Sequence, residues 1–182
     1  QWQGQQGGWD PSRLVFIDET SLNTKFARLR GRSPRGARCV SAVPHGHWHT
    51  STFIAALRHD RICAPFLIAG SVNTDVFTVY VAQVLCPELQ PGDIVIIDNL
   101  SVHKAPALAT LIAARGATLR YLPPYSPDLN PIELAFAKLK SHLRRAAARS
   151  LRALLPALAH ALSLFLPSHC AGFFRHARYA TI

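Results

Sequence analysis

Two carboxylates in this 182-residue chain share one local grammar. Asp18 closes the run RLVFID (13–18) and Asp98 closes DIVIID (93–98), each after four apolar residues and before a polar one. If two such strands lie side by side and parallel, both carboxylates leave the sheet at the same carboxyl edge, where α/β sheets place their sites. Glu133, in the first turn of the helix expected after the last strand, is the third candidate. Three convergent carboxylates suit hard cations, which take oxygen ligands and retain water. A pair of Mg²⁺ ions, for which Mn²⁺ can substitute, activates an attacking oxygen and stabilises a leaving one in phosphodiester chemistry. Each acid alone has a plainer reading. An Asp at a strand end is commonly a turn or cap residue. Asn130-Pro131-Ile132-Glu133 also forms a helix start, with Asn as N-cap, Pro first and Glu closing a capping box. The conjunction of the three is what points to chemistry.

The elements that must position these acids are legible in outline. Arg13–Asp18 and Asp93–Asp98 are continuous apolar runs, as expected of strands buried on both faces. Arg38–Pro44 and Thr50–Leu57 are expected as two strands across the PHGHWH turn, with Ile62–Ile68 as another. Asn73 is expected to cap a helix running to about Leu85. A helix from about Ala105 to Arg115 should stop at Gly116. Thr118–Leu122 is a short strand, and the turn PPYSPDLNPIE leads into a helix from Pro131 to about Ala148. A final amphipathic helix carries Leu151, Leu154, Leu155, Leu158 and Leu162 on one face. Hairpin strands feeding a helix–strand–helix–strand–helix order predict a mixed sheet flanked by helices. The expected boundaries are a lead-in over 1–12, one α/β domain over 13–166 and a C-terminal tail over 167–182.

Composition narrows the partner. Twenty Lys+Arg stand against ten Asp+Glu, a formal net charge of +10, which suggests a polyanion. Sixteen of the twenty bases are Arg, which favours forked phosphate contacts. Cys39, Cys63, Cys86 and Cys170 are scattered without a C-x-x-C pair, so neither a zinc knuckle nor a disulfide framework is indicated. The longest apolar stretch, 151–166, is interrupted by Arg152, Pro156 and His160 and too short to span a bilayer, so no membrane role is expected. The first residues do not form a basic-then-apolar leader, so no signal peptide is expected. The absence of Met suggests part of a longer polypeptide, and the Ala, Arg, Leu and Pro bias hints at a GC-rich bacterial source.

FIDET (16–20), IIDNLSVH (96–103) and LPPYSPDLNPIE (122–133) resemble the catalytic core of DDE transposases, in particular the bacterial insertion-sequence members of the mariner-like superfamily. Thirty-four residues separate Asp98 from Glu133, the interval that branch uses between its second and third carboxylates. The resemblance implies a ribonuclease-H-like fold, a mixed five-stranded sheet flanked by helices with its first and fourth strands adjacent and parallel. It also implies that Asp18, Asp98 and Glu133 are the catalytic, metal-binding triad. Asn99 and His103 match the family's D-N-x-x-x-H pattern, with His103 expected to contact phosphate or support a ligand. Glu19 matches a second acid that need not be a ligand. Tyr125, Ser126 and Pro127 would fix the turn presenting Glu133. GRSPRGAR (31–38) resembles the family's basic turn, and Phe136 replaces a frequent Trp.

The function implied is metal-dependent cleavage at transposon ends and strand transfer into target DNA, typically at TA, by a homodimer in the bacterial cytoplasm at the nucleoid. An upstream helix-turn-helix region, or a separate frame, would supply end recognition. Arg28, Arg30, Arg32, Arg35 and Arg38 on the basic loop, with Lys138, Lys140, Arg144 and Arg145 on the helix after Glu133, are the expected DNA contacts. His45, His47 and His49 alternate but straddle Gly46, so a hairpin turn is favoured over a metal site. Two other classes stay open: a non-enzymatic DNA-binding remnant, or another ribonuclease-H-like nuclease.

Overall fold

A computed structural model describes residues 2–27, 30–45 and 48–179. The apolar run from Leu14 opens strand β1 (Leu14–Asn23), followed by β2 (Thr50–Leu57), β3 (Ile62–Ala69), β4 (Ile94–Ile97) and β5 (Thr118–Tyr121). They form one sheet in the order β3-β2-β1-β4-β5. β1–β4 and β4–β5 are parallel, and β1–β2 and β2–β3 are antiparallel. The helices are α1 (Trp2–Gln6), α2 (Thr74–Tyr80), α3 (Pro106–Ala113), α4 (Pro131–Ala146), α5 (Leu151–Ser163) and α6 (Pro167–His176). This is the mixed five-stranded, ribonuclease-H-like sheet expected.

The continuous apolar run of β1 is explained by cover on both faces. Leu14 and Phe16 join the core beneath α4, α5 and α6, while Val15 and Ile17 join the one beneath α2 and α3. Alternate strand residues point to opposite faces, so Asp18 belongs to the α4 side and Glu19 to the α2–α3 side. β1 does not end at Asp18. Its parallel pairing with β4 stops at Ile17↔Ile97, but its antiparallel pairing with β2 continues to Asn23↔Thr50. Asp18 thus sits in mid-strand, at the point where one neighbour has ended and a cleft opens.

Arg38–Pro44 is not a strand. β2 already has β1 on one edge and β3 on the other, leaving that segment no place beside β2. Val40 and Val43 are 83% and 66% exposed. Within this loop the SPRG turn does form: Ala37 N–H donates to the Pro34 carbonyl at 3.0 Å, and Gly36 has φ +86°, which glycine adopts without a Cβ clash. Arg28 and His47 lie outside the described residues.

Asn73 Oδ1 accepts from Val76 N–H at 2.9 Å and caps α2, which continues as a π-helical turn over Val81–Leu85. After α3, Gly116 takes φ +71°, as expected of a helix stop. A buried ion pair, Arg58–Asp93, ties the end of β2 to the start of β4.

Residues 2–6 and 167–179 pack on the core rather than forming a lead-in and a tail. α6 buries Cys170 and Phe174. Tyr179 receives a hydrogen bond from Trp2 Nε1 at 3.0 Å and donates to the Leu129 carbonyl at 2.8 Å. Gln6 Nε2 donates to the Ala177 carbonyl at 3.1 Å. These aromatics recur too irregularly along the chain to register as periodicity. α5 buries Leu154, Leu158 and Ala161, whereas Leu155 is exposed. Among the described residues, no single helix is long and apolar enough to cross a membrane.

Candidate active site

The cleft at the end of β4 is lined by Asp18, Asp98, Glu133, Asn99, Tyr125 and Asn130 among others, with a volume of about 440 Å³. Three separate elements deliver the acids. Asp18 comes from mid-β1, and Asp98 follows the last residue of β4. Glu133 comes from the first turn of α4, which the 122–130 turn swings back over β1.

The capping box does not form. Asn130 occupies the N-cap position of α4, but its side chain makes no cap hydrogen bond. Its Nδ2 instead donates to Asp18 Oδ2 at 2.8 Å. Glu133 is exposed and faces the cleft without a hydrogen bond among the described residues. Asp18 Oδ1 accepts from Glu19 N–H at 2.7 Å. Burial, with the negative charges of Glu133 and Asp98 adding to it, pushes the Asp18 carboxyl from 3.8 up to about 7.

Asp98 is held from the opposite side. Its Oδ1 accepts from Leu100 N–H at 3.1 Å and faces His103 Nδ1 at 2.5 Å. His103 Nε2 reaches Glu19 Oε1 at 2.7 Å. The ring is 1% exposed, lies 4.3 Å from that of Phe77, and its carbonyl accepts from Tyr121 Oη at 3.0 Å. Burial alone would lower the imidazole, but its hydrogen bonds to Asp98 and Glu19 outweigh it and carry it from 6.5 to about 9. Burial likewise opposes the Asp98 charge, and the His103 hydrogen bond overcomes it, holding that carboxyl below its ordinary range. His103 is therefore an imidazolium that bridges β1 to the end of β4, and Glu19 is its second anchor rather than a cleft-facing ligand.

The donor set fits hard divalent cations in kind. Asp98 Oδ2 and the Glu133 carboxylate are unengaged among the described residues. Each Asp18 oxygen keeps a lone pair beside the bond it accepts. The Asp18 carboxyl is raised first by burial and then by Glu133 and Asp98, and a nearby cation would offset both. In the present arrangement, no three His, Cys, Asp or Glu side chains among the described residues stand close enough to share one ion.

The other expected residues divide. Tyr125 is fully exposed at the cleft rim with φ +53°, a conformation costly for a non-glycine residue and common near functional sites. Ser126 Oγ donates to the Pro124 carbonyl at 3.2 Å, within the turn. Arg30, Arg32, Arg35, Arg38 and Arg145 are exposed. Lys140 is half-buried on the Glu133 face of α4, and burial lowers it against the opposing pull of Glu133. Arg144 lies 5.8 Å from the Phe26 ring. Lys138 does not face a free surface. Its Nζ donates to His169 Nδ1 at 2.6 Å and sits 5.1 Å from the Phe165 ring, because α6 covers that side of α4. Lys104, exposed on the cleft wall, and Asn130 were not singled out by sequence. Lys104 adjoins the D-N-x-x-x-H pattern, but Asn130 was hidden by its fitness as a helix cap.

Residues 13–155 match the family described as DDE superfamily endonuclease. The fold is similar to that of Mos1 transposase in its paired-end complex with the left transposon end, with a TM-score of 0.75 at 15% identity, covering 91% of this chain and 52% of that one. It is also similar to the catalytic domain of Mos1 mariner transposase, with a TM-score of 0.67 at 15% identity over 93% of this chain and 79% of that one. The chain thus spans about half the length of the transposase in the DNA complex. A search of curated proteins found no match. By this match over most of its length, the chain belongs to the DDE superfamily endonucleases.

Proposed function

We propose that this chain is the catalytic unit of a DNA transposase of a bacterial insertion-sequence element, cleaving DNA at transposon ends and joining the freed 3′-hydroxyl to target DNA at TA. The observation that carries the reading is the convergence of Asp18, Asp98 and Glu133 from three elements on one cleft. Asp18, Asp98 and Glu133 would hold two Mg²⁺ ions, with Mn²⁺ as a substitute, and the ions would supply Lewis-acid activation at phosphorus. The chain's own residues do the rest. His103, braced by Glu19, orients the Asp98 carboxylate, much as outer partners orient metal ligands generally. The Asp18 carboxylate is held by a backbone N–H and the Asn130 amide. Lys140, Lys104 and the exposed arginines of the 30–38 loop receive DNA phosphates. A solved structure of similar fold, named as a transposase in complex with a transposon end, supports DNA as the partner. Homodimerisation on DNA, an upstream helix-turn-helix region and a place at the bacterial nucleoid complete the proposal.

The test is Asp98→Asn. It should abolish divalent-metal-dependent nicking of DNA carrying transposon ends while DNA binding in a gel-shift assay persists. Nicking retained in a clean preparation overturns the reading. A wild-type chain that binds DNA but gives no response to Mn²⁺ titration would favour the DNA-binding remnant, and cleavage confined to RNA–DNA hybrid would favour another ribonuclease-H-like nuclease.

A further inference from the structure

We infer that Asn130 is a positioning residue for the metal site, setting the first carboxylate and the third in register before any ion arrives; the inference rests on the reading of the cleft as a two-ion site. Asn130 is 4% exposed and heads α4. An Asn at that position ordinarily turns its side-chain oxygen back onto the helix N–H groups, yet here it makes no such bond. Its Nδ2 crosses to Asp18 Oδ2 at 2.8 Å, joining residues 112 apart in sequence. The same residue's carbonyl accepts from Glu133 N–H at 3.2 Å. One residue therefore touches the carboxylate of the first proposed ligand and the backbone of the third.

A second observation supports the assignment. Asn130 Oδ1 is buried without a hydrogen-bond partner, a rare condition that calls for a physical reason. The reason is directional. Turning the amide to satisfy Oδ1 would bring that oxygen against the Asp18 carboxylate and remove the donor. With Glu19 N–H on Oδ1 and Asn130 on Oδ2, the Asp18 carboxylate plane is fixed while one lone pair on each oxygen stays free. Such preorganisation by outer partners is what fixes ligand geometry at metal sites.

The experiment compares the wild-type chain with Asn130→Ser, Asn130→Ala and Asp98→Asn. Mn²⁺ affinity is measured from the electron paramagnetic resonance of free Mn²⁺, and thermal midpoints are measured in EDTA. Ser keeps the capacity to cap α4 but lacks the amide that reaches Asp18. The expected result is a roughly 10–100-fold weaker Mn²⁺ affinity for both Asn130 variants, with the Asn130→Ser midpoint in EDTA close to wild type. If Asn130→Ala fails to fold, Asn130→Ser carries the comparison. Wild-type Mn²⁺ affinity in folded Asn130→Ser overturns the inference and leaves the two-ion reading standing. No Mn²⁺ binding by the wild type, indistinguishable from Asp98→Asn, overturns both.

Discussion

Replacing Asp18 with Asn should abolish catalysis and, in the absence of divalent metal, make the fold more stable. The Asp18 carboxyl is lifted from 3.8 to about 7, first by burial and then by Glu133 and Asp98. A carboxyl whose folded value is raised costs stability when ionised. The cost is absent below pH 3.8, grows as pH rises, and is complete above about 7. At about 1.4 kcal/mol per pH unit, the lift corresponds to an upper value of about 4 kcal/mol at pH 8. Asn is isosteric and uncharged. Its oxygen can keep the bond from Glu19 N–H, and its amide can donate to Asn130 Oδ1 once Asn130 rotates, giving a partner to an atom that has none. A net gain of about 2 kcal/mol would raise the melting midpoint by roughly 4–8 °C for a chain of this size. The assay is a series of circular-dichroism melts in EDTA from pH 4 to 8.5, read as variant minus wild type so that other titrating groups cancel. The difference should be near zero at pH 4 and reach its full value above pH 7. A flat difference, or a less stable variant at pH 8, would refute the account of Asp18 as a strained charge awaiting a cation. Added Mn²⁺ should raise the wild-type midpoint and leave the variant's unchanged.

Three further outcomes follow from the same geometry. His103→Gln removes the imidazolium between Glu19 and Asp98. Because the His103 value is raised to about 9, its stabilisation is full below pH 6.5 and lost as pH rises through about 9; melts in EDTA across that window should show the decline in wild type but not in the variant, and metal-dependent cleavage should fall roughly 10–100-fold. Lys138→Ala should lower thermal stability with little change in DNA affinity, since Lys138 is engaged by His169 and Phe165. Lys140→Ala should instead weaken DNA binding and shallow its salt dependence by about one phosphate contact, measured by fluorescence anisotropy over a salt series.

Much of this site was legible in the chain because its signals are local. Apolar runs ending in acid, a glycine stop and the SPDLNPIE turn each rest on neighbours in sequence, so β1, β4, the helices α2 to α5 and the three candidate acids could be picked out from residue types and spacing. The sequence also carried the family resemblance and the basic excess. What it could not carry were partners chosen across the fold. Asn130 suits a helix cap and Asp18 equally well, and only the seating of α4 over β1 decides for Asp18, because the buried carboxylate is the more demanding acceptor. Glu19 reads as a spare acid until strand alternation turns it to the far face, where His103 waits. Lys138 reads as a surface cation until α6, expected from sequence only as a tail, packs over it. The strand expected at 38–44 fails for the same reason in reverse: β1 and β3 occupy both edges of β2. Residue type set which contacts were chemically allowed; the tertiary structure decided among them, since burial and the competition for one edge or one acceptor exist only once the sheet has formed.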